Sequence, residues 1–211
     1  LTRFHDGKSQ RRYITFTGGM EVNDGVLLIP QAAKEVLKSF PDEKFLFVGA
    51  GKEVENLVRL VEELGEHPED ETNVRWFAGD LREKLTVAKL LSATIDAFER
   101  VDILVNASRQ VISSDPLSAE DDALDTLIRQ NLMTSYRVSQ HFARRMIAQS
   151  EKDGDDEGPA GSIINLSSIA ARRTHPELLA YSVSSAAVEQ LTRSLAVALA
   201  PHRIRVNAVA F

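Results

Sequence analysis

From Arg12 onward, short β-branched or aromatic runs alternate with longer runs whose apolar residues recur at helical spacing, with short polar connections between them. Such alternation is the mark of an α/β domain built on a parallel sheet. The first predicted strand, Tyr13 to Thr17, stops at Gly18 and Gly19. A helix over Pro30 to Phe40 follows, with Ala32, Ala33, Val36 and Leu37 as its apolar stripe. Lys44 to Val48 reads as a second strand closed by Gly49, Ala50 and Gly51, and Glu53 to Leu64 as a second helix facing inward through Val54, Leu57, Val58 and Val61. Gly65 to Thr72 is polar and acidic and reads as a loop; Val74 to Ala78 is a third strand and Lys84 to Glu99 a third helix. Val101 to Val105 is a near-continuous apolar run suited to a strand buried on both faces. The pattern continues with a long helix over Leu117 to Gln149, an acidic loop over Glu151 to Gly158 and a strand over Ser162 to Leu166. A helix over Leu178 to Ala200 and a sixth strand over Ile204 to Val209 complete it.

Six strands joined by right-handed crossovers predict one doubly wound, Rossmann-type parallel sheet of order 3-2-1-4-5-6, cut off after its sixth strand. The expected domain is single, 1–211, with a degenerate nucleotide-binding half over 1–82 and a second half over 83–211. Ligands on such a sheet sit at the carboxyl ends of the strands. Candidate residues are therefore those that follow Thr17, Val48, Ala78, Val105, Leu166 and Val209.

Composition narrows the chemistry. There is no cysteine, which excludes a thiolate nucleophile, a disulfide framework and any cysteine-held metal or cluster. The 31 acidic against 25 basic residues give a net charge of -6, without a basic cluster, so no nucleic-acid footprint is expected. No apolar run approaches the ~20 residues of a bilayer span, and Leu1 to Asp6 lack a signal peptide's hydrophobic stretch, so a cytoplasmic protein without a membrane partner is expected. The five histidines show no metal-ligand spacing with carboxylates, and no metal site is predicted.

Several ordered motifs carry more. Gly79, Asp80 and Leu81 follow the third strand; Asp102 to Ala107 reads Asp-Ile-Leu-Val-Asn-Ala; Asn131 stands among Arg129, Gln130 and Leu132. Ile163 to Ser168 reads Ile-Ile-Asn-Leu-Ser-Ser, Tyr181 follows Ser168 by thirteen residues, and Tyr181 to Ala187 reads Tyr-Ser-Val-Ser-Ser-Ala-Ala. Over Asn73 to Phe211 the chain resembles the short-chain dehydrogenase/reductase family. The resemblance implies a Rossmann fold and NAD(P)-dependent exchange of hydride between a small carbonyl and its alcohol. It implies that Tyr181 is the acid, Ser168 the hydroxyl that orients the carbonyl oxygen, Asn131 the holder of a proton-relay water and Asp80 a contact to the adenine ring. Reduction of a carbonyl by hydride creates an alkoxide, so a proton donor and a second hydrogen-bond donor must meet at one oxygen. On the cofactor side the matching positions are Thr17, Gly18, Gly19, Gly25, Asp80, Leu81, Asn106 and Ala107.

The departures are as specific as the matches. The family's active-site lysine, four residues after the tyrosine, is Ser185. That position lies on the same helix face, yet a hydroxyl carries no charge to act on a phenol that ordinarily titrates near ~10. Arg172 and Arg173 are the nearby candidates for replacement charge. In the first-strand turn Val22 and Asp24 occupy the second and third glycine positions, where the glycines otherwise let backbone amides approach a pyrophosphate. Val105 and Ser108 replace an asparagine and a glycine around Asn106 and Ala107, and Lys52 after the second strand favours NADP over NAD. These changes predict weak or lost turnover. The alternative is a non-catalytic pseudoenzyme or partner subunit, a homo- or hetero-oligomer assembled through helices 117–149 and 178–200. Asp80 has a second reading as the N-cap of the following helix. The first ~80 residues, from Phe16 to Gly51 above all, also resemble the nucleotide-sugar-binding half of retaining glycosyltransferases, another user of the same half-fold.

Overall fold

The structure, a computed structural model, describes residues 13–18, 28–41, 43–49, 59, 74–154 and 158–211. The strands are β1 (Tyr13–Gly18), β2 (Lys44–Gly49), β3 (Val74–Ala78), β4 (Ile103–Ala107), β5 (Gly161–Ser167) and β6 (Ile204–Ala210). They form one six-stranded sheet of order β3-β2-β1-β4-β5-β6, all neighbours parallel, as the alternation predicts. The helices are α1 (Leu28–Ser39), α2 (Lys84–Phe98), α3 (Ala123–Leu127), α4 (Thr134–Asp153) and α5 (Leu179–Leu199). The predicted helix over Glu53 to Leu64 and the loop after it lie outside the described residues, apart from Arg59.

Two rows of side chains explain how the sheet is covered. Leu46, Thr15, Leu104, Ile163 and Val206 are register partners in turn across β2, β1, β4, β5 and β6. Four of them join Val87 and Leu90 of α2 and Val138, Phe142 and Met146 of α4 in the main apolar core. Strand side chains repeat on one face every second residue. Two residues further along, the same face presents the partners Thr17, Asn106 and Asn165, all buried. The Thr17 hydroxyl lies 3.2 Å from both Asn106 Oδ1 and the Val105 carbonyl. Asn106 Nδ2 donates to Asn165 Oδ1 and to Ser139 Oγ of α4, each at 2.9 Å. Asn165 Nδ2 donates to Thr192 Oγ1 of α5 at 2.9 Å. The face thus changes from apolar to hydrogen-bonded as it nears the carboxyl ends of the strands.

Three of the boundaries that differ from the expected ones have a visible cause, tertiary at β4 and local at the other two. β4 starts at Ile103 rather than Val101, because Gln149 of α4 takes both backbone groups of Val101, accepting its N–H at 2.9 Å and donating to its carbonyl at 2.8 Å. The helix expected from Leu117 begins at Ala123. Asp115 accepts from the Leu117 N–H and Asp121 from the Ala123 N–H, and short acids of this kind hold a chain in turns. At its far end α4 runs on to Asp153 and stops at Gly154 with φ +64°, so the first three residues of the expected acidic loop are helical.

Removing the hub of the polar row should be costly, since Asn106→Ala takes away the donor to Ser139 Oγ and Asn165 Oδ1, both buried, while Thr17 keeps only the Val105 carbonyl. Each such loss costs about 1–3 kcal/mol, and a total of about 2–4 kcal/mol is expected after local relaxation. Urea denaturation of the variant against the parent checks this; a loss below about 1 kcal/mol would mean that the row does not hold the sheet.

Candidate active site

The carboxyl ends of β4 and β5 and the start of α5 bring most of the expected chemistry together. Ser168 directly follows β5 in extended backbone, φ -138° and ψ 152°, and caps the short 3-10 turn Ile169–Ala171 by accepting the Ala170 N–H at 3.2 Å. Its hydroxyl donates to the Phe211 carbonyl at 3.3 Å. Tyr181 sits in the first turn of α5. That helix has no side-chain cap from its own N-cap residue; Ser114 Oγ, arriving from the loop after β4, accepts the Ala180 N–H at 3.1 Å instead. The tyrosine ring is 3% exposed and packs with Ala123, Leu127, Ala170 and Ala180. Its hydroxyl is buried without a hydrogen-bond partner.

Asn131 lies within a π-helical segment, Ile128–Met133, between α3 and α4. Widened turns of this type leave carbonyls out of register with the helix ladder. Here the hydroxyls of Thr134 and Ser135 collect them, donating to the Arg129 carbonyl at 3.3 Å and the Asn131 carbonyl at 2.8 Å. The Asn131 side chain accepts the Gln110 N–H at 2.8 Å and donates to the Gln110 carbonyl at 2.9 Å and to Ser184 Oγ at 3.3 Å. It therefore fixes the loop after β4 against α5. Ser185 is 4% exposed, and its carbonyl accepts from Ser167 Oγ at 3.2 Å.

Positive charge comes from a residue that the motif reading passes over. The guanidinium of Arg109, two residues beyond β4, stands 5.7 Å from the Tyr181 ring centre and 4.8 Å from that of Phe211. Arg109 Nη1 donates to the Ser167 carbonyl at 3.3 Å. The expected suppliers do not serve: Arg172 and Arg173 are exposed, and Arg172 turns to Glu189, 3.3 Å away. Arg109 was available to sequence reasoning only as the residue after Ser108, without a motif to single it out.

The profile of the family described as short chain dehydrogenase matches residues 33–211. The chain belongs to that family. Pig carbonyl reductase [NADPH] 2 is 38% identical over 109 residues, a stretch that is 52% of this chain and 41% of that relative. The match thus spans less than half of the relative's length. An uncharacterized oxidoreductase from Thermotoga maritima is 29% identical over 203 residues, 95% of this chain and 70% of the relative. Among solved structures, an NAD+-bound xylitol dehydrogenase superposes with a TM-score of 0.76 at 23% identity, covering 96% of this chain and 71% of that one. The dehydrogenase match reaches back to residue 33, forty residues further than the motifs alone and well inside the stretch that resembles glycosyltransferases.

The residues expected on the cofactor side divide. Gly18 ends β1 beside Ala107 of β4, at the centre of the sheet's carboxyl edge. The side chains of Thr17 and Asn106 are committed to the buried polar row, and Leu81 belongs to the apolar core. Gly19, Gly25 and Lys52, with Val22 and Asp24, lie outside the described residues. Gly79 is small for packing: a Cβ there would stand 2.6 Å from Thr86 Cγ2. Asp80 is not the N-cap of α2, a place taken by Glu83 without a side-chain cap. It turns instead to Arg82, accepting its N–H at 2.9 Å and gripping its guanidinium at 2.5–2.9 Å. Among the described residues no group of acids and histidines could hold a metal ion.

Hydrogen bonds from the Arg82 side chain hold the Asp80 carboxyl below its ordinary value, against an opposing effect of burial. A depressed carboxyl contributes stability above its unfolded value, near ~3.9, and loses it as pH falls through the folded value. Both partners are more than a third exposed, so the contribution is at most about 1 kcal/mol after screening. Asp80→Asn should therefore lower stability slightly at pH 7 and approach the parent as pH falls through the folded value of Asp80. Denaturation across that pH range checks the convergence.

Proposed function

We propose that the protein is an NAD(P)-dependent oxidoreductase that interconverts a small carbonyl compound and its alcohol. The observation that carries this reading is the Tyr181 hydroxyl, buried without a partner on the rim that also presents Ser168. A buried hydroxyl in that state is costly unless something else uses it. The family membership and relatives whose names record NADPH or bound NAD+ support the cofactor class. The residues fit its reactive end, since the orphaned phenol and Ser168 lie where the sheet's carboxyl edge meets α5. A nicotinamide cofactor, when bound, supplies or accepts the hydride at the carbonyl carbon.

The chain's own residues then handle the oxygen. Tyr181 gives its phenolic proton to the developing alkoxide, and Ser168 donates a second hydrogen bond once its contact to the Phe211 carbonyl is released. Asn131 steadies the tyrosine's helix, because it ties the β4 loop to Ser184, one helical turn after Tyr181. Of the cofactor-side candidates, the backbone at Gly18 and Ala107 is the part best placed to line the cofactor, with the carboxylate of Asp80 at the edge of β3. We place Gly19, Gly25 and Lys52 in the same role by resemblance, with Lys52 favouring NADP.

A second reading, a non-catalytic Rossmann subunit, is favoured by Ser185 in the lysine position and by the engagement of Ser168 with Phe211. Assembly belongs to either reading. α5 exposes Leu179, Val183, Ala186 and Val197, a small apolar stripe that suits a second helix pair in a homo- or hetero-oligomer. Among the described residues no helix is long and apolar enough to cross a membrane.

Titration with NADPH and NADH, read by thermal shift, should raise the melting temperature with one of them at or below millimolar concentration. Tyr181→Phe should then cut carbonyl reduction about 10²–10⁴-fold and leave cofactor affinity unchanged. No shift with either nucleotide would overturn the oxidoreductase reading in favour of the non-catalytic one. Val183→Glu should lower the mass seen by light scattering if α5 forms the contact; an unchanged mass would remove that face from the interface.

A further inference from the structure

We infer that Arg109 binds an anionic group of the substrate, so that this site takes a carbonyl compound carrying a carboxylate or a phosphate. The inference rests on the oxidoreductase reading and names its substrate class. Two groups beside the site lack a partner of the opposite kind. The Tyr181 hydroxyl is buried without a hydrogen-bond partner. Arg109 is half-buried, and among the described residues its contacts are two aromatic rings and one carbonyl, with no acid paired to it. A buried hydroxyl and a partly desolvated cation are each costly until something answers them. Both border the same residues: the guanidinium lies over the Tyr181 ring and donates to the carbonyl of Ser167, the residue before Ser168. A substrate whose carbonyl oxygen meets the phenol and whose anionic group meets the guanidinium satisfies both at once.

The arginine is held in place without being used up. A guanidinium carries five N–H donors, and the Ser167 carbonyl, 3.3 Å from Nη1, takes one of them. The Tyr181 and Phe211 rings, with centres 5.7 and 4.8 Å away, attract the cation by its charge and leave its donors free. A planar fork fixed in this way loses little further freedom when it grips a carboxylate or phosphate with two parallel hydrogen bonds. Its direction separates it from the cofactor's pyrophosphate, which the fold places at the glycine turn after β1. In the order β1-β4-β5-β6, Arg109 follows β4 and leans the other way, to Ser167 of β5 and to Phe211 beyond β6. Nearby charges leave the role to it. Arg172 and Arg193 are paired with Glu189, and Arg173 is exposed. Asp115 and Asp121, in the loop that leads on from Arg109, accept from the N–H groups of Leu117 and Ala123.

Matched pairs of carbonyl compounds test this. Pyruvate, acetoacetate and 4-oxopentanoate are each compared with the corresponding amide, and dihydroxyacetone phosphate with dihydroxyacetone, using whichever of NADPH and NADH binds. The parent should reduce at least one anionic member with kcat/KM about 10–100-fold above its neutral counterpart, as expected for a hydrogen bond to a charged group. The pair with the largest ratio reports how far the anion stands from the carbonyl and whether carboxylate or phosphate is preferred. Arg109→Met, or Arg109→Gln if the first loses the parent's circular dichroism, should bring that ratio close to one, mainly through KM. Arg109→Lys, which keeps the charge without the fork, should retain part of it. A ratio near one in every parent pair, or one that survives the neutral variant, would overturn the inference while the turnover itself upholds the oxidoreductase reading. A matching loss of NADPH affinity in the neutral variant would assign Arg109 to the cofactor and also overturn it. Saturation-transfer NMR with the same pairs reads binding without turnover. Anion-dependent binding that the neutral variant loses, with no member of any pair reduced, would sink the oxidoreductase reading and leave the anion site standing. Neither binding nor turnover of any pair would sink both.

Discussion

The structure depends on a row of buried amides and hydroxyls laid across a parallel sheet. Thr17, Asn106 and Asn165 are partners in register on β1, β4 and β5, and they hand hydrogen bonds on to Ser139 of α4 and Thr192 of α5. An apolar row can slide or be repacked at modest cost, whereas a polar row inside a core must be satisfied group by group. That demand fixes the relative height of three strands and two helices at once. It does so next to the carboxyl edge, where the apolar core ends and the site begins. The start of α5 and the end of β5, which carry Tyr181 and Ser168, are tied through Thr192 and Asn165 as well as by packing.

Around that frame, the site is held by contacts between segments distant in sequence. Ser114 caps a helix that starts at Leu179, Asn131 spans from the β4 loop to Ser184, and Arg109 reaches the end of β5. Each uses a polar group of one segment to satisfy backbone or hydroxyl groups of another. The π-helical segment belongs to the same logic: it carries Asn131 inward, and Thr134 and Ser135 repair the carbonyls that the widened turn displaces. Tyr181, Ser168 and the guanidinium beside the tyrosine ring thus come from three different segments of the chain.

Much of this was legible beforehand. The alternation of periods predicted six strands and their order, because strand patterning and short connections leave one right-handed solution. Spacing picked out Ser168 and Tyr181, which stand directly after β5 and in the first turn of α5. What failed did so where side-chain hydrogen bonds override the hydrophobic period, once from across the fold and otherwise from two residues away. Gln149 removes Val101 from the β4 ladder, Asp115 and Asp121 delay the helix expected from Leu117, and Arg82 claims Asp80 from its expected cap. Arg172 and Arg173 follow Ser168 closely in sequence. Closeness in sequence says little about direction, and Arg172 points to Glu189.

The sequence by itself determined the fold class, the strand order and the family, since these rest on hydrophobic period and on short motifs that local chain geometry translates directly into structure. Thr17, Asn106 and Leu81 it could name only as candidates for cofactor contact. The tertiary structure decided that the side chains of the first two serve the buried row and that the third packs in the core. It also decided where charge stands relative to Tyr181. The physical reason is one of range: period and propensity are properties of neighbouring residues, whereas hydrogen-bond satisfaction and electrostatic proximity are settled between strands and helices that meet only when the sheet has formed.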